Sequence, residues 1–340
     1  MQALILAGGE GTRLRPLTLY TPKPVVPIAN RPFLHYQLEM LNKAGVRETI
    51  LSLSYKPEKI ADIFGDGSNL GLSLSYMVEE SPLGTAGAFK HSEKAIRDTT
   101  IVLNGDVLTD IDLSAVVRLH KEKKATATIV LVPVENPCAY GLVETDADGR
   151  IVRFLEKPKP EEITCNTINA GLYVLEPEVL KYIPPNINHS FEYGLFPKLL
   201  LEGEPFYSFA GCEYWLDIGT PARYLQANLD VLAGRLSYKP ERMVSDKWTA
   251  EIDRLSLIAP SVVLNGSVKI ENSVIGPNCT ISEGASIKNS VLPADARVGS
   301  NAKIEGAVLG RGCYIGSSSV IGPGAILGDG SSLTEFSRTV

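Results

Sequence analysis

The chain of 340 residues has few cysteines, few histidines and no long hydrophobic run. Its five cysteines form no Cys-x-x-Cys pair, and their odd number argues against a secreted disulfide framework. No apolar stretch approaches the roughly 20 residues of a membrane span, and the apolar run near the N-terminus lacks the charged flank of a secretory signal. These absences predict a soluble, cytoplasmic protein with no membrane partner.

Positive charge is also scarce. Lysine and arginine total 33 against 39 acidic residues, so the formal net charge is −6. Sequence-independent binding to nucleic acid depends on basic surface that neutralises phosphates. We therefore expect no nucleic-acid partner, and any nucleotide that this chain binds should be a small molecule.

A glycine-rich, cationic loop follows the first apolar run of the chain. The run at residues 3–7 predicts a buried strand, and after it come Gly8, Gly9, Gly11, Thr12, Arg13 and Lys23. Glycine lets backbone N–H groups approach an anion, while guanidinium and ammonium groups supply the charge that a polyphosphate needs. The loop lacks the Gly-Lys-Ser/Thr of a Walker A motif, and Leu14 stands where the dinucleotide fingerprint needs glycine. It is either another kind of phosphate loop or a glycine turn with solvated cations.

Residues 1–236 alternate short β-rich runs with helical patterns, which is typical of a doubly wound α/β domain. Predicted strands cover residues 3–7, 49–53, 74–78, 101–104 and 126–132, and predicted helices cover 32–44, 58–64, 86–96 and 114–124. In open parallel sheets, ligands bind beyond the carboxyl ends of the strands. The glycine loop and the Gly105-Asp106 pair both follow predicted strands, so they are candidates for one site.

The pattern changes at residue 258, where a repeat with steps of six, six and five begins. Its aliphatic positions are Ile258, Leu264, Ile270, Ile275, Ile281, Ile287, Leu292, Val298, Ile304, Leu309, Ile315 and Ile321. This repeat predicts a parallel β-helix over 258–340 with about 17 residues per coil, after a linker at 237–257. The final coil has little obvious capping, so we expect a homo-oligomer formed through the β-helix.

Seven blocks occur in an order that resembles the sugar-1-phosphate nucleotidyltransferases. They are LAGGEGTRLRPLT…PKP from Leu6, PLGTAGA from Pro82, LNGDVLTD from Leu103, YGLVE from Tyr140, FLEKP from Phe154, INAGLYVL from Ile168 and YWLDIGTP from Tyr214. The resemblance implies a Rossmann-like catalytic domain followed by a left-handed β-helix. It also implies that a sugar 1-phosphate and a nucleoside triphosphate react to give a nucleoside diphosphate sugar and pyrophosphate. Within the family, the blocks are most similar to those of the mannose-1-phosphate guanylyltransferases.

The resemblance also implies roles for individual residues. It places the nucleotide at Leu6, Ala7, Gly8, Gly9, Gly11, Thr12, Arg13, Glu79, Gly84, Thr85 and Asp106. It assigns catalysis to Arg13, Lys23, Asp106 and Asp217, with the two aspartates holding Mg²⁺. It places the sugar phosphate at Gly141, Glu156, Lys157, Asn169 and Gly171. Without the resemblance, Asp106 and Asp217 would each be interpreted as a turn or cap aspartate. Lys23 would be interpreted as a solvated turn lysine, and Glu156 and Lys157 as a charged pair on the surface. Asp110 is interpreted as a turn residue before a helix that starts near Asp112.

Glu79 carries the prediction about the base. It stands five residues before Gly84, where uridylyl- and thymidylyl-transferring relatives typically carry glutamine. A carboxylate only accepts hydrogen bonds, and guanine presents two adjacent donors, so Glu79 favours GTP. The alternative is a strand-end glutamate that faces solvent.

Three other functions remain open. The closest is the same reaction with dTTP or UTP and glucose 1-phosphate. A second is an additional acyltransferase in the β-helix, which is disfavoured because all four histidines (His35, His91, His120 and His189) precede it. A third is a silent regulatory module that senses a sugar nucleotide, which should have lost part of the phosphate or metal set.

Overall fold

The structure, a computed structural model, describes residues 1–240 and 249–339. Contacts divide the chain into two units, one of residues 1–10 and 36–215 and the other of residues 11–35 and 216–340. The second unit therefore combines the predicted β-helix with the segment that carries Arg13 and Lys23. Residues 241–248, part of the predicted linker, lie outside the described residues.

The elements up to residue 232 follow the predicted alternation. The strands are β1 Gln2–Leu6, β2 Pro27–Ile28, β3 Arg31–Pro32, β4 Glu48–Leu53, β5 Ser73–Val78, β6 Thr100–Asn104, β7 Val107–Thr109, β8 Ala127–Pro133, β9 Gly141–Thr145, β10 Ile151–Glu156, β11 Thr167–Leu175, β12 Phe206–Ala210 and β13 Trp215–Asp217. The α-helices are α1 Phe33–Lys43, α2 Pro57–Phe64, α3 Gly84–His91, α4 Leu113–Glu122, α5 Phe196–Leu201 and α6 Pro221–Leu232. The predicted strands and helices are confirmed with small shifts, the largest being that α3 ends at His91 and not at residue 96. Pro32 pairs with Pro27 in a short hairpin, so the first helix begins one residue later than predicted.

A nine-stranded mixed sheet forms the first unit. Strand β1 lies between β4 and β6 and runs parallel to both, while β5 continues the parallel part beyond β4. Beyond β6 the sheet becomes antiparallel through β11. Ala3, Leu4 and Ile5 are completely buried, as expected for a strand covered on both faces. The register pairs Leu6 with Asn104, so the loops that follow β1 and β6 leave the sheet at the same edge.

An aromatic cluster packs under the antiparallel part of this sheet. The ring centroid of Tyr173 lies 5.2 Å from the ring centroids of Phe191 and of Phe196. The ring centroid of Phe196 also lies 5.2 Å from that of Phe154 and 5.4 Å from that of Phe206. Such tilted and edge contacts add stability beyond the burial of apolar area. The cluster supports β10, β11 and the residues around α5.

The second unit contains the β-helix. Its strands are β14 Glu251–Ile252, β15 Leu257–Ile258, β16 Val263–Leu264, β17 Lys269–Glu271, β18 Val274–Ile275, β19 Thr280–Ile281, β20 Ser286–Lys288, β21 Val291–Leu292, β22 Arg297–Val298, β23 Lys303–Glu305, β24 Tyr314–Ile315, β25 Val320–Ile321 and β26 Ser332–Leu333. They form three parallel sheets, in the orders β14-β17-β20-β23-β25, β15-β18-β21 and β16-β19-β22-β24-β26. Ile270, Ile287 and Ile304 are consecutive partners, which confirms the predicted coil of 17 residues.

The β-helix begins earlier than the sequence indicates. Strand β14 pairs with β17, matching Ile252 with Ile270 one coil above. The first coil therefore reaches into residues 237–257, the predicted linker. The sequence pattern missed it because the segment before Ile258 is rich in charge and because Ile252 lies six residues before Ile258, where the order of the repeat calls for a step of five.

The segment at residues 11–35 is held to the rest of the second unit by hydrogen bonds. Asn228 Oδ1 on α6 accepts from Ala29 N at 2.8 Å, and the Tyr224 hydroxyl donates to Pro27 O at 2.6 Å. Asn30 Nδ2 donates to Ile275 O of the β-helix at 3.0 Å. The cationic segment is thus anchored to both a helix and a β-helix coil.

No α-helix in the described ranges combines the length and the apolar character that crossing a bilayer would require.

His120 makes the stability of the first unit sensitive to pH. Its ring is buried, with Nδ1 2.8 Å from Thr128 Oγ1 and Nε2 3.0 Å from Glu176 Oε1. Burial lowers the pKa of His120 below the usual 6.5, although Glu176 opposes the shift. In the unfolded chain, His120 takes up a proton at a higher pH than it does in the folded chain. The free energy of unfolding should therefore fall as the pH drops below the usual histidine pKa of 6.5.

Relative to His120→Gln, which cannot titrate, the wild type should lose free energy of unfolding between about pH 7.5 and about pH 5.5. Urea unfolding at both pH values measures this difference. A difference that stays constant over that range would contradict the prediction.

Candidate active site

A pocket of about 370 Å³ opens in the first unit where β1, β4 and β5 end. Its lining consists of Leu6, Gly8, Gly9, Glu10, Ser54, Tyr55, Glu79, Glu80, Ser81, Pro82, Gly84, Thr85 and Ala88. It thus brings together six residues that the resemblance assigned to the nucleotide: Leu6, Gly8, Gly9, Glu79, Gly84 and Thr85. The mixture of apolar walls with a few polar groups is typical of a small-ligand site.

Two glycines are required by close packing at the edge of the sheet. A Cβ on Gly105 would lie 2.6 Å from Leu6 O, the atom that accepts the hydrogen bond of Gly105 N. A Cβ on Gly8 would lie 3.0 Å from Ser54 Oγ. Gly9 has open space beside it, so its backbone is accessible to a ligand. The absence of side chains at these positions therefore leaves the backbones in contact and leaves space beside Gly9.

Glu79 is buried and does not face solvent, which removes the alternative of an exposed strand-end residue. Its Oε1 accepts from Ser52 Oγ at 2.7 Å, and its Oε2 accepts from Leu83 N at 3.1 Å. A carboxylate has about four lone-pair positions, so these two bonds leave acceptor capacity. Ser52 and Leu83 hold the carboxylate at the pocket wall.

The PLGTAGA block begins helix α3 against the loop at residues 187–189. Gly84 has a φ of +72°, and a Cβ there would lie 2.6 Å from His189 O. His189 N donates to Leu83 O at 2.8 Å, and Gly87 N donates to His189 O at 2.9 Å. Only glycine satisfies both the backbone conformation and the close approach at Gly84.

Arg13 and Asp217 lie close together in the second unit. A Cβ on Gly219 would lie 3.2 Å from Arg13 Nη2 and 2.8 Å from Asp217 Oδ1, so the glycine makes room for both groups. Lys23 is buried, and its Cβ lies beside Gly11. The alternative of a solvated turn lysine at position 23 is therefore wrong.

Asp217 is also paired within the second unit. Its Oδ1 accepts from Gly219 N at 3.0 Å, and its Oδ2 forms an ion pair with Arg223 of α6. Thr220 caps α6 by accepting from Arg223 N, so the helix start positions this arginine. Arg223 had no motif in the sequence and was not predicted.

Asp106 follows β6 through Gly105 and is half-buried. Asp110 accepts from Tyr214 N at 3.1 Å, and Asp112 caps α4 by accepting from Ser114 N and Ala115 N. The predicted helix start near Asp112 is confirmed, whereas Asp110 lies in an extended connection between β7 and α4 and not in a turn.

The carboxylates fit a magnesium ion by their donor chemistry. Nowhere in the described residues do three or more His, Cys, Asp or Glu side chains gather as a metal site. Mg²⁺ does not require such a cage, because it usually binds one or two carboxylates and completes its shell with phosphate oxygens and water. Asp106 in the first unit and Asp217 in the second each carry a carboxylate, the donor that such an ion prefers.

The residues assigned to the sugar phosphate lie along β9, β10 and β11 of the first unit. Gly141 pairs with Glu156, and a Cβ on Gly141 would lie 2.7 Å from Glu156 Oε2. Lys157 has a φ of +50° and is exposed, and its N–H donates to Tyr140 O at 2.9 Å. The strand therefore ends in a sharp bend that separates the carboxylate from the ammonium group.

Asn169 and Gly171 form a tight bend inside β11. Asn169 Oδ1 accepts from Gly171 N at 2.9 Å, and its Nδ2 donates to the Tyr173 hydroxyl at 3.0 Å. Gly171 has a φ of +75°, and a Cβ there would lie 2.7 Å from Asn104 Nδ2. This bend brings β11 against the end of β6.

Glu156 has an unusual protonation equilibrium. Burial, followed by the charge of Glu192, raises its pKa to about 7, and Lys157 opposes the shift. A carboxyl group that titrates near neutral pH is typical of functional sites. Glu192 and Ser52 carried no signal in the sequence that could identify them, because each meets its partner only in the folded chain.

A mixed α/β sheet with a glycine loop at its carboxyl edge, followed by a β-helix, defines a class of nucleotide-using transferases. A profile of the Nucleotidyl transferase family matches residues 2–234, and one of the EIF2B subunit epsilon left-handed β-helix domain matches residues 235–337. The chain belongs to the Nucleotidyl transferase family, and its β-helix is of the left-handed kind. Members of this family typically depend on a divalent metal ion.

The chain is similar to curated members of the family. It is 43% identical over 69% of its length to the mannose-1-phosphate guanylyltransferase of Mycobacterium tuberculosis, and the match spans 65% of that protein. It is 37% identical over 81% of its length to a UTP–glucose-1-phosphate uridylyltransferase of Synechocystis, spanning 76% of that protein. Among solved structures, HddC from Yersinia pseudotuberculosis superposes with a TM-score of 0.58 at 33% identity, covering 67% of this chain and 97% of that one.

Replacing either aspartate should stop catalysis without unfolding the protein. Asp106→Asn and Asp217→Asn should each lower kcat by roughly a hundredfold or more, the effect of losing preorganised charge stabilisation. Asp110→Asn is the matched control, because asparagine still accepts from Tyr214 N. Pyrophosphate release at saturating Mg²⁺ measures kcat, and circular dichroism checks the fold. Near-normal turnover of either of the first two variants would show that the metal assignment is wrong.

Proposed function

We propose that this protein is a sugar-1-phosphate nucleotidyltransferase that converts GTP and mannose 1-phosphate to GDP-mannose and pyrophosphate. The observation that carries the choice of nucleotide is the buried Glu79 carboxylate on the pocket wall. The similarity to mannose-1-phosphate guanylyltransferases at 43% and 41% identity supports the choice of sugar. We place the reaction in the cytoplasm, because the five cysteines are all free thiols.

The reaction needs charge neutralisation and alignment more than it needs a protein nucleophile. A phosphate oxygen of the sugar 1-phosphate attacks the α-phosphorus of the triphosphate, the new O–P bond forms, and pyrophosphate leaves with the electrons of the broken bond. Arg13 and Lys23 neutralise the triphosphate, and Lys157 neutralises the sugar phosphate. The glycines of the loop after β1 allow backbone N–H groups to contact the phosphates.

Asp106 and Asp217 would hold the metal ion, which we propose is Mg²⁺. When bound, the ion supplies positive charge to the triphosphate and fixes its orientation. The ion pair with Arg223 and the hydrogen bond from Gly219 N keep the Asp217 carboxylate in one position.

Glu79 would read the base through its unused acceptor capacity. Guanine presents N1–H and a 2-amino group side by side, and both are donors. The donors Ser52 Oγ and Leu83 N already hold the carboxylate from the protein side. A pyrimidine presents one donor between two carbonyl acceptors at this edge and would leave a carbonyl facing the carboxylate.

The second candidate is transfer from UTP or dTTP to glucose 1-phosphate. The similarity to the Synechocystis uridylyltransferase, over 81% of the chain, favours it. A non-catalytic sensor is a weaker candidate, because Arg13, Lys23, Asp106, Lys157 and Asp217 are all present. Pyrophosphate release measured with each common nucleoside triphosphate and several sugar 1-phosphates separates the three.

Glu79→Gln tests how the base is read. Glutamine can keep its oxygen on Leu83 N, and its amide can face Ser52 Oγ, which can rotate to accept, so the variant should fold. The amide then meets a guanine donor, and such a mismatch costs about 1–3 kcal/mol. We expect kcat/KM for GTP to fall roughly 5- to 150-fold while kcat/KM for dTTP or UTP holds or rises.

The readout is the ratio of the two efficiencies, so that a general folding defect cancels. Glu80→Gln is the comparison, because it removes the same charge from an exposed neighbour in the pocket. An unchanged ratio in Glu79→Gln, or a larger change in Glu80→Gln, would show that Glu79 does not select the base.

We also propose that the β-helix has a structural role and assembles the protein into a homo-oligomer. Its parallel coils bury a continuous aliphatic core, so that each coil is stabilised by the coils stacked against it. The full chain should show the mass of several subunits in light scattering, and a chain ending at residue 236 should show fewer. An equal subunit count in both would contradict this role.

A further inference from the structure

Glu192 occupies a position for which the sequence offered no role. It lies in a single π-helical turn, Phe191–Leu195, directly before α5. Its Oε2 accepts from Thr85 Oγ1 at 3.0 Å, and the same hydroxyl accepts from Phe191 N at 2.8 Å. Single π-helical turns occur frequently at functional sites. Thr85 also lines the nucleotide pocket, so its hydroxyl connects that pocket to Glu192.

The turn that carries Glu192 packs against a strand of the sugar residues, because the ring of Phe191, its neighbour in the chain, lies 5.2 Å from the ring of Tyr173 on β11. The negative charge of Glu192 raises the pKa of Glu156, after burial as the larger cause, and it likewise adds to the effect of burial in raising the pKa of Tyr173. The Tyr173 hydroxyl accepts from Asn169 Nδ2, another of the sugar residues. Glu156, Asn169, Glu192 and the Tyr173 hydroxyl are thus connected by a hydrogen bond or by the effect of charge.

Two carboxylates in such a place are unfavourable unless donors compensate for them. The Thr85 hydroxyl donates a hydrogen bond to Glu192. The charge of Lys157 opposes the rise in the pKa of Glu156. A sugar carries several hydroxyl groups on neighbouring carbons, and each can donate to a carboxylate. The pair is therefore arranged to be satisfied by a polyhydroxylated ligand.

We propose that Glu192 is a second sugar-recognition residue, which accepts a hydroxyl of the sugar 1-phosphate beside the hydroxyl that Glu156 accepts. Thr85 is its positioning residue, and through it an occupied nucleotide pocket fixes the carboxylate for the sugar. This inference rests on the proposed sugar-1-phosphate reaction, but it does not depend on which sugar is used. Two acceptors at different angles distinguish epimers better than one, because an inverted hydroxyl leaves a buried acceptor unpaired.

The proposal has a consequence for pH. Glu156 accepts a sugar hydroxyl with its full capacity only when it is ionised, so kcat/KM for the sugar phosphate should rise through a pKa of about 7. The charged groups that act on Glu156 are Glu192, which raises this pKa, and Lys157, which lowers it. Removing the charge of Glu192 should move the rise to lower pH.

The test uses Glu192→Gln in the full-length protein, with the nucleotide and sugar 1-phosphate that give the wild type its highest kcat/KM. Loss of a hydrogen bond to a charged group should raise KM for the sugar phosphate roughly tenfold or more, with a much smaller change in KM for the nucleotide. The pH profile should shift to lower pH. Glu178→Gln, an exposed carboxylate outside the site, should leave both unchanged.

Three further variants keep the test decisive if Glu192→Gln does not fold. Glu192→Asp keeps the charge and shortens the side chain, so KM for the sugar phosphate should rise while the pH profile stays in place. Thr85→Val should raise the same KM, and Thr85→Ser, which keeps the hydroxyl, should restore it. An unchanged KM for the sugar phosphate, equal increases for both substrates, or an unmoved pH profile in Glu192→Gln would overturn the proposal.

The sugar that the wild type prefers is a separate result. If it is not mannose 1-phosphate, the proposed substrate pair is wrong, while the role of Glu192 is still tested on the preferred sugar. If the wild type does prefer mannose 1-phosphate and Glu192→Gln behaves like the control, only the role of Glu192 is wrong.

Discussion

The parallel pairing of β1 with β6 is the constraint on which the first unit depends. It places the ends of both strands at one edge, where Gly105 N donates to Leu6 O at 2.9 Å and the absence of a Cβ lets the backbones meet. The glycine loop and the Gly105-Asp106 turn follow from this pairing. Because parallel strands direct their carboxyl ends the same way, two loops separated by about a hundred residues of chain share one edge of the sheet.

Buried and half-buried carboxylates around the pocket are held by donors from distant parts of the chain. Ser52 and Leu83 hold Glu79, and Thr85 holds Glu192. A buried carboxylate needs such donors, and each one also limits where the side chain can point. The arrangement leaves acceptor capacity directed at ligands, which is what recognition of a base edge and of sugar hydroxyls requires.

In the second unit, hydrogen bonds between distant parts of the chain also hold the segment that carries the cations. Arg13 and Lys23 belong to the same unit as the β-helix, and Asn30 Nδ2 donates to Ile275 O of the β-helix. The segment at residues 11–35 contains little regular secondary structure, so hydrogen bonds to α6 and to the β-helix hold it in place. The β-helix therefore has a direct part in holding the cationic segment, besides any part in assembly.

The sequence by itself determined the strand and helix alternation, the 17-residue coil and the family, because apolar periodicity and short motifs are local properties of the chain. It also identified Glu79, Asp106 and Glu156 as candidate site residues. It missed the first coil at β14, and it missed Ser52, Glu192 and Arg223. Only the tertiary structure decided those contacts, since Ser52 meets Glu79 across 27 positions and Thr85 meets Glu192 across 107, and no local pattern encodes such pairs.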